Sequence, residues 1–273
     1  MPCLGLGLYQ TPKEETTNIV HNALRLGYRQ VDSAQLYGNE REACLGITKF
    51  LEESPKVSRS DIFFTTKIKT QDQGYESAKK SIEESLNRVK ELDYIDLFLI
   101  HAPLTNKEKR LGTWKAFQEY YETGKIKAIG VSNYGIQHLE EMYQWDGLKI
   151  DPMVNQYELN PWLTRKELSN YCHQKGMIIQ AYSPLTRARR LQDPELVKLV
   201  EDSYPEQTSA QILVNWSLQM GFVPLVKTVH EDRLKENIKS CDFELSSADL
   251  KKLTHDDQYY LSQPKWDPIK YEG

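Results

Sequence analysis

Val31-Asp32-Ser33-Ala34-Gln35-Leu36-Tyr37-Gly38-Asn39-Glu40 leaves a short strand, Gln30 to Asp32, through small and polar residues and enters a helix. An acid ends the strand, and a tyrosine follows five positions on, in the loop. Ahead of this stretch, residues 3–9 read as a first strand whose glycines, Gly5 and Gly7, permit close approach to the backbone. Thr11-Pro12-Lys13-Glu14 signals a helix start, with threonine as the cap, proline at the first helical position and Glu14 three residues after the cap. Ile19, Ala23 and Leu26 share one side of that helix, and Gly27 stops it.

The same rhythm continues to the end of the chain. Residues 62–68, 95–100, 126–131, 153–157, 177–182 and 222–226 are short, mostly apolar runs suited to buried strands. Helical patterns lie between them at 39–53, 75–90, 110–123, 135–144, 164–175 and 194–220. The last of these splits at Tyr204-Pro205, because proline cannot continue a helix. Thr164 with Glu167 and Thr208 with Gln211 read as further capping boxes, and helices at 231–239 and 247–255 close the chain. Strands alternating with helices specify parallel βαβ units. Eight of them, without a linker or a change of composition, predict one (β/α)8 TIM barrel over residues 1–273. The alternative is an open doubly wound sheet with extra helices.

A formal charge of -4 with both signs interspersed, and no basic block, argues against a nucleic-acid partner. No apolar run is long enough to span a bilayer, and no signal-peptide pattern opens the chain, so the cytosol is the expected compartment. Cys3, Cys44, Cys172 and Cys241 are far apart and form no Cys-x-x-Cys, so neither a metal site nor a disulfide framework is expected.

In such a barrel, residues at the C-terminal ends of the strands face the mouth where chemistry occurs. That rule selects Asp32 and Tyr37, Lys67, His101, Ser132 with Asn133, Gln156, Tyr182 with Ser183, and Lys227 with Thr228. Taken singly, an Asp–Lys pair, a histidine or a tyrosine is usually structural. Four such groups at matching strand ends point to a site. A tyrosine hydroxyl has an ordinary pKa of about 10, and a nearby ammonium lowers it by favouring the phenolate. Asp32–Lys67–Tyr37 therefore reads as a tuned proton donor, with neutral His101 able to hydrogen-bond a carbonyl oxygen. No Ser/His/Asp set, cysteine nucleophile or metal cluster accompanies it, and a hydride from a bound cofactor would fit as the nucleophile.

Lys227-Thr228 through Arg233 to Glu236-Asn237 runs from the last strand into a helix start, with two cations, a hydroxyl and helix-terminal N–H groups to cradle phosphate. Ser132, Asn133 and Gln156 offer groups for a carboxamide, and Tyr182 offers a flat face for an aromatic ring. Gly5-Leu6-Gly7 lacks the third glycine of a dinucleotide fingerprint, which disfavours a Rossmann site.

These motifs together resemble the aldo-keto reductase family over nearly the whole chain. The matching pieces are the Gly-Tyr-Arg-Gln-Val-Asp-Ser-Ala-x-x-Tyr-Gly-Asn-Glu stretch from Gly27, Thr-Thr-Lys at 65–67 and Asp-Leu-Phe-Leu-Ile-His-Ala-Pro at 96–103. Gly-Val-Ser-Asn-Tyr at 130–134, Val-Asn-Gln-Tyr-Glu-Leu-Asn-Pro at 154–161, Ala-Tyr-Ser-Pro-Leu at 181–185 and the segment from Lys227 to Asn237 complete them. The resemblance implies NADPH-dependent reduction of aldehydes or ketones, with Asp32, Tyr37, Lys67 and His101 as the catalytic tetrad and Tyr37 as the acid. It implies a nicotinamide held by Tyr182, Ser132, Asn133 and Gln156, with Ser183 and Leu185 of the 181–185 motif also in the cofactor site. Lys227, Thr228 and Arg233 would hold the extra phosphate of NADP, and Glu236 and Asn237 the adenine.

Three departures from the family stand out. The chain begins almost directly at the first strand where the family usually has an N-terminal hairpin covering the barrel bottom, so a shortened chain or another segment closing that end is expected; Ala102 replaces a frequent tryptophan, and the connection after Pro103 and the C-terminal tail are short. A wide pocket for small aldehydes, dicarbonyls or activated ketones is therefore expected, walled by Tyr9, His101, Tyr134 and Trp162, in a monomer. Two rivals remain open: a cofactor-binding regulatory or structural protein of the same fold, and a barrel isomerase acting on sugar phosphates.

Overall fold

The computed structural model describes residues 1–273. Eight strands close a parallel barrel: β1 (Gly5–Gly7), β2 (Gln30–Asp32), β3 (Phe63–Ile68), β4 (Leu97–Ile100), β5 (Ile129–Ser132), β6 (Val154–Glu158), β7 (Ile178–Tyr182) and β8 (Val223–Val226). The seam is made where Gly5 pairs with Leu225 and Leu6 with Val226. Around the barrel run α1 (Lys13–Arg25), α2 (Glu40–Glu53), α3 (Tyr75–Arg88), α4 (Lys107–Glu122) and α5 (Ile136–Tyr143). They continue with α6 (Lys166–Gln174), α7 (Pro194–Ser203), α8 (Ser209–Gln219), α9 (Glu231–Ile238) and α10 (Ser247–Leu253). No helix is long and apolar enough to cross a membrane.

The strands are shorter than the apolar runs that announce them. The 95–100 run opens with only an isolated bridge, Ile95 to Ile126, before β4 begins. There the Asp96 carboxylate takes the Phe64 N–H at 2.9 Å and the Arg59 guanidinium at 2.7 Å. Helix starts divide likewise. Thr208 and Gln211 form the expected capping box on α8, each side chain meeting the other's backbone N–H at 3.2 and 2.9 Å. The boxes expected at Thr11 and Thr164 do not form. Carbonyl bonds to Pro12 start α1, leaving the Thr11 hydroxyl buried without a partner, and α6 starts from Arg165 in a left-handed conformation at φ 44°.

Apolar packing is split unequally. The main core, 52 buried residues, fills the shell around the barrel, whereas inside it the apolar cluster has only Leu97, Leu99 and Val154. The rest of the interior is therefore free to be polar, and Asp32, Lys67, Ser132, Gln156 and Gln180 are all buried there. Below them, Gln180 donates to the Met1 thioether at 3.2 Å, so the first residues stand at the bottom of the barrel. Gly5 has a packing reason to lack a side chain, since a Cβ there would lie 2.6 Å from Leu225 and 3.1 Å from Gln30. Gly5→Val should overpack the seam and cost about 1–3 kcal/mol in urea unfolding. Unchanged stability would show that the seam has slack.

Candidate active site

Strand β2 ends at Asp32, and a 3-10 turn over Gln35–Tyr37 swings Tyr37 back over the strand ends, with Gly38 left-handed at φ 70° to release the chain into α2. The loop is tied down from behind. The Ser33 hydroxyl donates to Asn39 Oδ1 at 2.8 Å, and the Asn39 amide donates to the Leu8 and Thr11 carbonyls at 3.1 and 3.3 Å. Register places Lys67 of β3 beside it. Its ammonium, fully buried, donates to Asp32 Oδ1 at 2.6 Å, to the Ser33 carbonyl at 2.8 Å and to the Tyr37 hydroxyl at 3.3 Å. The His101 ring, beyond β4, meets Tyr37 edge-on with centroids 5.6 Å apart. Asp32, Tyr37, Lys67 and His101 are thus one cluster.

The electrostatics differ from the sequence expectation at one point. Tyr37 is raised well above its ordinary value, first by burial and then by the Asp32 charge, rather than lowered by Lys67. The phenol is therefore neutral, with the Lys67 ammonium 3.3 Å from its hydroxyl. Burial lowers Lys67 from its usual value while Asp32 pulls it back up. Burial, with the Lys67 charge second, drops His101 to about 3, so its imidazole is neutral at physiological pH. Its Nδ1 is buried without a partner in the protein.

From this cluster a cavity of about 590 Å³ runs across the barrel mouth to the start of α9. Ser132, Asn133, Gln156, Tyr182, Ser183, Leu185, Lys227, Thr228, Arg233, Glu236 and Asn237 all line it, so the structure brings the sequence-selected groups into one space with Tyr37 and His101. The Tyr182 hydroxyl donates to Asn133 Oδ1 at 2.8 Å, and the Asn133 amide holds the His101 carbonyl at 2.9 Å. Gln156 gives both its N–H groups to the protein, to Asp32 Oδ2 and Gln180 Oε1 at 2.8 Å each, which leaves its Oε1 for a ligand amide. At the far end Lys227 and Arg233 are exposed, while Glu236 is tied to the α8 cap through Thr208 at 2.5 Å. Two exposed cations, a buried threonine and an entering helix suit a phosphate-bearing ligand. No group of three or more His, Cys, Asp or Glu side chains is placed to hold a metal.

The substrate end differs from expectation. Tyr9 lines the cavity and lies 5.2 Å from the Tyr37 ring, but Tyr134 and Trp162 do not line it. Tyr134 is fully buried against His138, and Trp162 is stacked on His255 with the Arg190 guanidinium 4.4 Å from its ring centroid. In a strand-to-helix loop, an aromatic residue next to a site motif packs inward as readily as it faces the mouth. The tail after α10 turns back over the barrel, held by Arg165 to Asp267 at 2.8 Å and by the Ser262 N–H to Glu158 at 2.8 Å. It puts Trp266 in the wall with its indole N–H 3.2 Å from the Tyr182 hydroxyl, so the pocket is less open than a short tail implies. Arg187 spans the mouth from Gln10 to Gln263 at 2.9 and 2.8 Å, on a segment where Thr186, Arg187 and Ala188 are all left-handed. Sequence reasoning missed Gln180, although it lies two residues before Tyr182 on the same strand face. Nothing in the pattern of the tail singled out Trp266.

Comparison with known proteins agrees with this geometry. The model of the Aldo/keto reductase family matches residues 3–256. An uncharacterised oxidoreductase of Saccharomyces cerevisiae is 44% identical over 260 residues, covering 95% of this chain and 92% of that protein. A glyoxal reductase of Bacillus subtilis is 41% identical over 254 residues, covering 93% and 88%. The crystal structure of an aldo/keto reductase from Brucella melitensis superposes with a TM-score of 0.85 at 36% identity, covering 93% of this chain and 94% of that one. With the barrel, the Asp32–Lys67–Tyr37–His101 cluster and these relatives in agreement, the chain belongs to the aldo/keto reductase family of oxidoreductases, which generally work with nicotinamide cofactors.

Proposed function

We propose that this chain reduces aldehydes and ketones, dicarbonyls among them, to alcohols with NADPH, and that Tyr37 is the proton donor. The observation that carries the reading is a single cavity with Tyr37 and His101 at one end and Lys227, Thr228 and Arg233 at the other. A cofactor bound along it supplies the hydride that no side chain here can provide. The chain's own residues account for the rest. Tyr182, its hydroxyl fixed by Asn133 and Trp266, is a held aromatic platform for the nicotinamide, and the free Gln156 Oε1 suits its amide. Lys227 and Arg233 match the extra phosphate that distinguishes NADPH from NADH.

At the reacting end, neutral His101 and the Tyr37 hydroxyl both face the position of a substrate carbonyl oxygen. Tyr37 gives its proton to that oxygen as the carbon accepts hydride. The resulting phenolate meets the Lys67 ammonium, which Asp32 and the Ser33 carbonyl keep from turning away. Tyr9 and Leu36, both exposed at the mouth, and Trp266 leave an apolar and aromatic entrance for small carbonyl compounds. The relative named as a glyoxal reductase supports dicarbonyls within this class. A cytosolic monomer acting on small diffusible substrates completes the proposal.

Following NADPH absorbance with a carbonyl panel tests the reading, and binding without turnover would favour a regulatory or structural role instead. Tyr37→Phe should lower turnover by about 100-fold or more, with the NADPH dissociation constant changed by less than about twofold. Wild-type turnover in that variant would remove Tyr37 from the acid role. Arg233→Ala should weaken NADPH about tenfold and leave NADH nearly unchanged. Equal weakening of both nucleotides would contradict the phosphate assignment.

A further inference from the structure

Arg187, Lys227 and Arg233 are the cations that line the cavity, and the last two stand at its phosphate end. The acids that line it are engaged elsewhere: Asp32 by Lys67, Glu158 by the Ser262 N–H and Glu236 by Thr208. Arg187 has no ion-pair partner among them. Its guanidinium donates from one terminal nitrogen to Gln263 Oε1 at 2.8 Å and from the other to Gln10 Oε1 at 2.9 Å. Both acceptors are neutral amide oxygens. They fix the plane of the fork and leave its charge unmet, with further N–H groups free for a ligand. Arg190, on the same segment, is by contrast paired with Asp193 at 3.1 Å.

The backbone is bent to hold the fork in place. Thr186, Arg187 and Ala188 are left-handed in succession, at φ 51°, 55° and 63°, and none is glycine. Such a run costs free energy and persists where surrounding contacts over-determine it. Those contacts are the two glutamines on Arg187 and the Arg189 guanidinium on the Ser262 carbonyl at 2.6 Å. The anchors belong to the substrate side. Gln10 follows Tyr9, whose ring lies 5.2 Å from that of Tyr37. Gln263 is on the same tail as Trp266, whose indole reaches the Tyr182 hydroxyl at 3.2 Å.

We propose that Arg187 is the receptor for a carboxylate on the substrate, and that the preferred substrates are small oxo acids carrying a carbonyl and a carboxylate on one short carbon frame. The proposal rests on the reductase reading above and narrows its substrate class. The carboxylate takes the free N–H groups of Arg187 while the carbonyl oxygen faces Tyr37 and His101. Hydride still goes to the carbonyl carbon and the Tyr37 proton to its oxygen, and the carboxylate is unchanged by the reaction. Charge-assisted hydrogen bonds are the stronger kind, and a fork already oriented loses little freedom on binding. The bridging phosphates of the nucleotide are the other oxyanion source for this fork.

The test measures kcat/KM with NADPH for pyruvate and 4-oxobutanoate, each beside its methyl ester, which keeps the carbonyl and removes the charge. Arg187→Gln should lower the acid-to-ester ratio about tenfold, with the NADPH dissociation constant changed by less than about twofold. Arg187→Lys, which keeps the charge and loses the fork, should fall between. Oxamate, an unreactive analogue of a 2-oxo acid, gives a readout without turnover. By calorimetry, NADP-loaded wild-type protein should bind it about tenfold more tightly than loaded Arg187→Gln does. An unchanged acid-to-ester ratio in the variant would overturn the proposal, as would a wild type that binds oxamate no better than the variant. Acid and ester falling together, with NADPH weakened about tenfold, would overturn it too and assign Arg187 to the nucleotide phosphates. Oxamate bound through Arg187 by a protein that reduces no carbonyl compound would keep the carboxylate site and remove the reductase reading.

Discussion

The buried contact between Lys67 and Asp32 is the constraint on which the rest of the site depends. A fully buried ammonium is tolerated only when its charge is met and its hydrogens are placed. Asp32 at 2.6 Å meets the charge, and the Ser33 carbonyl and the Tyr37 hydroxyl take up the remaining donor directions. The second Asp32 oxygen is held by Gln156, which reaches Gln180 in turn. A polar column therefore runs down the inside of a barrel that most chains would fill with aliphatic side chains. It is possible because the apolar core lies almost wholly in the outer shell.

That arrangement separates two tasks. One end of the cavity is buried, with His101 kept neutral and Tyr37 kept protonated, both mainly by burial. The other end is open, with the exposed cations Lys227 and Arg233 and a helix start at the surface. The two ends meet at Asn133, which takes the Tyr182 hydroxyl on one side and holds the His101 carbonyl on the other. Tail, Tyr182 and reacting cluster are thereby linked through a few hydrogen bonds rather than through one loop.

Much of this was legible in the chain. Alternating strand and helix patterns place all eight strands, and the strand-end rule finds Asp32, Lys67, His101 and Gln156 because a parallel barrel turns those ends toward one mouth. What escaped depends on contacts distant in sequence. Tyr134 and Trp162 stand beside site motifs, yet they pack inward, and neighbours such as His255 cannot be paired with them from a linear reading. Trp266 enters the wall on a tail held back by Arg165 on Asp267 and by Glu158 on Ser262. The direction of the Tyr37 shift was missed for a related reason: proximity to an ammonium is visible in a motif, whereas depth of burial is not.

The most direct measurement is single-turnover hydride transfer by Lys67→Met preloaded with NADPH and mixed with a small dicarbonyl. Nucleotide binding in the same sample serves as the control for a folded barrel. If Lys67 holds the developing phenolate of Tyr37, transfer should slow by about 100-fold or more while NADPH still binds. Transfer at the wild-type rate would contradict the account, because the proton donor would then work without the ion pair around which the site is built.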